Sequence, residues 1–93
     1  MKIYKEDIGT VIYIDMGTDI SLAENCNLFV RKGDGVTTAE WTPEIYNTNY
    51  LKYTIVENDL SISGEYKVTP YLEIGSWEGY GETVSFTVYG LYE

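Results

Sequence analysis

Residues 65–74 read Glu65-Tyr66-Lys67-Val68-Thr69-Pro70-Tyr71-Leu72-Glu73-Ile74, and this stretch decides the fold. Tyr66, Val68, Pro70, Leu72 and Ile74 hold every even position, while Glu65, Lys67, Thr69, Tyr71 and Glu73 hold the odd ones. Side chains of a strand alternate between its two faces, so this is a strand with one apolar and one wet face, the pattern of antiparallel sheet. Residues 83–89 repeat it, with Val84, Phe86 and Val88 against Thr83, Ser85, Thr87 and Tyr89. Between the two lies Gly75-Ser76-Trp77-Glu78-Gly79-Tyr80-Gly81, a glycine-rich loop suited to closing a hairpin.

The same period runs upstream. Leu51, Tyr53 and Ile55 alternate with Tyr50, Lys52 and Thr54; Ala39 and Trp41 with Thr38, Glu40 and Thr42; Cys26, Leu28 and Val30 with Asn27, Phe29 and Arg31. Residues 10–16 place Ile12, Ile14 and Met16 on one face and Val11, Tyr13 and Asp15 on the other, an apolar content that predicts neighbours on both sides. Ile3 and Tyr4 begin a short first strand. Lys32-Gly33-Asp34-Gly35 reads as a turn with two glycines free to take positive φ. Ser21-Leu22-Ala23-Glu24 has the spacing of a capping box but supports no more than one helical turn. Pro70 lacks an N–H, which predicts a bulge or an edge position for its strand.

About seven antiparallel strands in 93 residues predict an all-β, two-sheet sandwich of immunoglobulin-like type, one domain over residues 1–93. In Asp59-Leu60-Ser61-Ile62-Ser63-Gly64-Glu65-Tyr66 the segment entering the long strand matches a tyrosine corner, with the Tyr66 hydroxyl bonding back to the upstream backbone. Val68 then stands where antibody domains carry a cysteine, and Trp41 fits the core tryptophan. The expected core is Trp41 and Tyr66 surrounded by Leu28, Val30, Leu51, Tyr53, Val68, Leu72, Val84, Phe86 and Val88.

Composition excludes most chemistry. Six Lys and Arg against fifteen Asp and Glu, with no histidine, give a net charge of −9. That charge argues against nucleic acid, whose phosphates need clustered cations, and against an anionic membrane surface. Without histidine, neither a Ser-His-Asp nor a Cys-His arrangement can be built, and the single cysteine, Cys26, supplies neither a disulfide nor a zinc site. Phosphate-cradling glycine motifs are absent. Asp15, Asp19 and Asp34 leave calcium open but fit no EF-hand pattern, and scattered acids are the plainer reading of a glycosidase-like carboxylate pair. The expectation is therefore no enzyme, no catalytic residue, no cofactor and no metal. Residues 1–7 lack the apolar stretch of a signal peptide and no run approaches a membrane span, which predicts a protein made and kept soluble in a cytoplasm.

The aromatic surplus, ten Tyr with two Trp and two Phe, is the better lead. Phe29, Tyr50, Tyr71 and Tyr89 fall on the outward parity of their strands. They either stripe an exposed face because aromatics suit strands, or form a protein interface, or stack on a sugar. Trp77 and Tyr80, held between glycines in the 75–81 loop, are candidate anchors for a partner's pocket; alternatively Trp77 folds back to cap the end of the sandwich.

The chain also resembles a family. Asp7-Ile8-Gly9-Thr10, Asp19-Ile20-Ser21, Leu28-Phe29-Val30-Arg31-Lys32, Glu40-Trp41, Leu51-Lys52-Tyr53-Thr54, Gly64-Glu65-Tyr66, Trp77-Glu78-Gly79 and residues 81–89 are similar to small phage-encoded immunoglobulin-like proteins related to the N-terminal domain of baseplate upper proteins. The resemblance implies a non-enzymatic virion structural protein of tail, baseplate or head, assembled in the host cytoplasm and contacting other virion proteins and copies of itself. As the chain stops at Glu93, an adaptor role is expected to come from its own surface. The alternative is a host-surface binding module for a glycan or protein.

Overall fold

The computed structural model describes residues 3–90 and 92; Met1 and Lys2, which open the segment read for a signal peptide, lie outside them. Nine strands follow in order: β1 Ile3–Tyr4, β2 Val11–Asp15, β3 Asn25–Arg31, β4 Thr38–Trp41, β5 Glu44–Tyr46, β6 Tyr50–Thr54, β7 Gly64–Ile74, β8 Trp77–Tyr80 and β9 Val84–Tyr89. They form a six-stranded sheet in the order β1-β9-β7-β3-β4, with β8 also on β7, and a three-stranded sheet in the order β2-β6-β5. Among the described residues there is no helix. The 21–24 segment is a turn, because Asp19 Oδ1 accepts the Ser21 N–H at 2.8 Å and Glu24 N–H leaves for the Glu73 carbonyl at 2.7 Å.

The alternating strands pack as their pattern demands. One core joins both sheets: Ile14 and Leu51 from the smaller, with Ile55 just past the end of β6, and Leu28, Val30, Trp41, Tyr66, Val68, Leu72 and Val88 from the larger. Tyr53, Val84 and Phe86 are half-buried against it. Trp41 stacks on Tyr53 across the two sheets, with centroids 4.8 Å apart and planes 7° from parallel. Trp41 Nε1 is buried without a hydrogen-bond partner, a cost of about 1–3 kcal/mol that the burial of so large a ring offsets. The Tyr66 hydroxyl donates to the Ile62 carbonyl at 2.6 Å and accepts the Ile62 N–H at 3.3 Å, closing the predicted corner.

Several expectations are corrected. There are nine strands rather than about seven, since β5 is too short to show a period and residues 77–80 form β8 instead of a loop. The strands are not all antiparallel: β1 runs parallel to β9, with Ile3 beside Val88 and Tyr4 beside Tyr89. Pro70 lies at neither an edge nor a bulge. β7 is central, and Pro70 sits where its partner changes from β9 to β8. Its carbonyl accepts the Gly81 N–H there at 2.8 Å, so its own missing N–H leaves no ladder bond unmade. The outer face of β2 is uncovered, with Val11 and Tyr13 exposed. Trp41, buried as expected, lies on edge strand β4, opposite Leu28.

Only Gly35 of the predicted turn takes positive φ. Gly33 is needed for a different reason: a Cβ there would collide with the Ser63 carbonyl and come within 2.7 Å of Gly64 Cα. The β3–β4 turn and the corner entering β7 thus cross backbone on backbone. Lys32, which is buried, clamps the same crossing through its ammonium group to the Asn58 carbonyl at 2.9 Å and Ser61 Oγ at 3.1 Å.

Candidate partner-binding face

Pairing register decides which aromatic side chains meet. On the outer face of the six-stranded sheet, Asn27 and Phe29 of β3 lie opposite Tyr71 and Thr69 of β7, and Tyr71 lies opposite Tyr80 of β8. Phe29, Tyr71 and Tyr80 therefore converge, with centroids 5.3 Å apart for Tyr71–Tyr80, 6.0 Å for Phe29–Tyr80 and 6.2 Å for Phe29–Tyr71. The rings are tilted or edge-on, the arrangement their quadrupoles favour. Tyr80 is nevertheless 66% exposed and Phe29 39%.

One end of this cluster is acidic. Glu73 and Glu78 face each other across β7 and β8, and the Tyr71 hydroxyl lies 3.2 Å from a carboxylate oxygen of each. Desolvation, followed by those two carboxylates, pushes Tyr71 up to about 12. Asn25 Nδ2 also donates to Glu73 at 2.8 Å. The other end is basic: Arg31 of β3 stands directly opposite Lys67 of β7. Phe29, Arg31, Glu40, Lys67, Thr69 and Thr83 line a groove of about 890 Å³ here, whose floor is tied by a 2.7 Å hydrogen bond between Thr69 and Thr83 hydroxyls.

The remaining predicted aromatics lie elsewhere. Tyr50 is on the outer face of the three-stranded sheet, where it meets Tyr46 at 6.5 Å and Tyr46 meets Tyr13 at 5.3 Å. Lys52 Nζ sits 5.6 Å from the centre of the Tyr46 ring. Tyr89 stands beside Tyr4 at 6.3 Å, near the opposite end of β7 from Tyr71. Trp77 is opposite Ile74, hence on the core-side face of the β7–β8 hairpin, with Tyr80 on the other. It is 53% exposed because the second sheet does not cover this end, and its ring lies over Gly79. Trp77 and Tyr80 thus cannot contact one flat partner together.

Tyr13 and Tyr46 escaped the sequence reading. The apolar content of residues 10–16 predicts cover for Tyr13, and Tyr46 lies in a strand of three residues with no period to read. The basic and acidic pairs depend on cross-strand register, which sequence periodicity does not give.

The three aspartates considered for calcium each serve a local turn: Asp15 accepts the Gly17 N–H, Asp19 that of Ser21, and Asp34 those of Val36 and Thr37. Cys26 is half-buried opposite Leu72, and burial pushes its thiol up, so little thiolate is available for chemistry. Set against known proteins, the chain matches no protein family, no curated protein and no solved structure.

Proposed function

We propose that this chain is a non-enzymatic, immunoglobulin-like structural component of a phage particle, acting through protein–protein contacts on the outer face of its six-stranded sheet. The observation that carries this reading is the Phe29–Tyr71–Tyr80 cluster, three aromatic rings gathered on an exposed sheet face and supported by one another. Exposed apolar clusters rimmed by charge mark interfaces, and tyrosine is among the side chains that dominate their energetics.

The immunoglobulin-like assignment is supported by strand order. With β2, β6 and β5 as strands B, E and D, and β9, β7, β3 and β4 as G, F, C and C′, both sheets follow the immunoglobulin arrangement. Tyr66 takes the corner position at the start of the strand corresponding to F. Phage origin rests on the sequence resemblance through residues 7–89, as does the expectation of assembly in the host cytoplasm. The test is mass spectrometry of purified particles from the producing host, washed at high salt. Recovery of the chain at fixed stoichiometry supports the reading; protein found only outside the particles refutes it.

A further inference from the structure

The outer face is ordered along its length. Its outward residues on β7 run Lys67, Thr69, Tyr71, Glu73. Arg31 stands beside Lys67 and Glu78 beside Glu73. A basic pair and an acidic pair thus flank the aromatic cluster, six residues apart on one strand, about 20 Å. Each pair sets like charges side by side, which is unfavourable when nothing neutralises them. Among the described residues no carboxylate forms an ion pair with Arg31 or Lys67.

We propose that this face binds a second copy of the same chain, the two outer faces stacking about a two-fold axis that crosses β7 near Pro70. The inference rests on the reading of this face as a protein-binding surface and names its occupant. A two-fold axis in the plane of the interface and perpendicular to β7 carries position 67 onto position 73. Lys67 of each copy then lies over Glu73 of the other, and the aromatic clusters meet between two such ion pairs. This is the self-complementarity that an isologous interface requires.

Glu40 and Glu65 also flank the basic pair on this face. The face therefore offers no net positive field to attract acidic proteins in general. What it offers under that axis is one opposite-charge match, Lys67 over Glu73, with Arg31 carried over Asn25 and Glu78 over Ser85, so no like charges are brought together there. Two chains of charge −9 repel at long range, so association falls to local pairing and aromatic burial at physiological ionic strength, where distant charges are screened.

The test is analytical ultracentrifugation of the full chain at physiological salt, up to about 100 μM. The wild type should dimerise. Lys67→Glu and Glu73→Lys should each weaken dimerisation at least about tenfold, and the double variant should recover it. Positions 67 and 73 of one chain are about 20 Å apart and cannot pair with each other. The swapped side chains gain in-chain partners in Arg31 and Glu78, which compete with pairing between copies, so recovered dimerisation is the stricter outcome. Circular dichroism confirms that each variant folds. Tyr80→Ala, which removes a mostly exposed ring, should weaken the dimer without unfolding the domain. A monomeric wild type, single variants that dimerise normally, or a folded double variant that stays monomeric would each overturn the proposal. Particles that still carry a monomeric protein would overturn the dimer alone and leave the virion role standing.

Discussion

Tyr66→Phe isolates one oxygen atom. The ring is fully buried and stacks on Phe86 with centroids 5.4 Å apart, so the substitution keeps its packing. What it removes is the hydroxyl that donates to the Ile62 carbonyl at 2.6 Å and accepts its N–H at 3.3 Å. A net hydrogen bond contributes about 1 kcal/mol, and a buried polar group left unpaired costs about 1–3 kcal/mol. Ile62 is only half-buried, so water can reach part of its backbone and the loss belongs near the lower end, about 1.5–2.5 kcal/mol. For a domain of this size that corresponds to a fall in melting temperature of about 6–20 °C. Urea titration followed by tryptophan fluorescence measures it directly: the midpoint should drop while the slope stays constant, since the same surface is exposed on unfolding. A loss below about 0.5 kcal/mol would mean that the corner is held by the chain crossing around it and that the hydroxyl only fills space.

Gly33→Ala should cost more than about 3 kcal/mol, because the new Cβ meets the backbone of Ser63 and Gly64 and only a shift of the crossing admits it; a variant melting within a few degrees of wild type would refute the close crossing. The Asp34 carboxyl is held below its ordinary value of 3.8 by the Thr37 hydroxyl and the N–H groups of Val36 and Thr37. Its contribution is therefore present above about pH 4 and lost as pH falls through its lowered pKa, so the stability difference between wild type and Asp34→Asn, followed by urea unfolding from pH 6 to pH 2, should shrink at the acid end. Trp77→Ala removes a half-exposed ring over Gly79 and should cost about 1 kcal/mol by thermal melting; a loss of 3 kcal/mol would make Trp77 a structural cap.

The parts of the fold legible in the sequence are those governed by period alone. Residues 65–74 and 83–89 announce which side chains turn inward, and Tyr66, Val68, Leu72 and Val88 are buried accordingly. The tyrosine corner is legible because it is local, closed by a hydroxyl four residues from its backbone partner. Ile20 and Leu60 are as deeply buried as any core residue yet lie in turns where no alternation marks them. Gly33 looks like a turn glycine, and its requirement comes from a segment thirty residues away. Outward parity located Phe29 and Tyr71 individually, but only register assembles them with Tyr80 and parts them from Tyr50 and Tyr89.

Register also explains why β8 matters to the face. β9 leaves β7 at Val68, opposite Val84, and the upper half of β7 would otherwise present a bare edge beyond Pro70. Unpaired strand edges invite uncontrolled association. The tight turn after Ile74, where Gly75 takes a φ of 59°, folds β8 back to cover that edge. The same pairing brings Tyr80 to Tyr71 and Glu78 to Glu73. The segment that covers this length of β7 therefore also supplies one ring of the aromatic cluster and one carboxylate of the acidic pair. In the proposed dimer, association uses that face, where charge and aromatic surface must match, and not the short outer edge that β8 leaves.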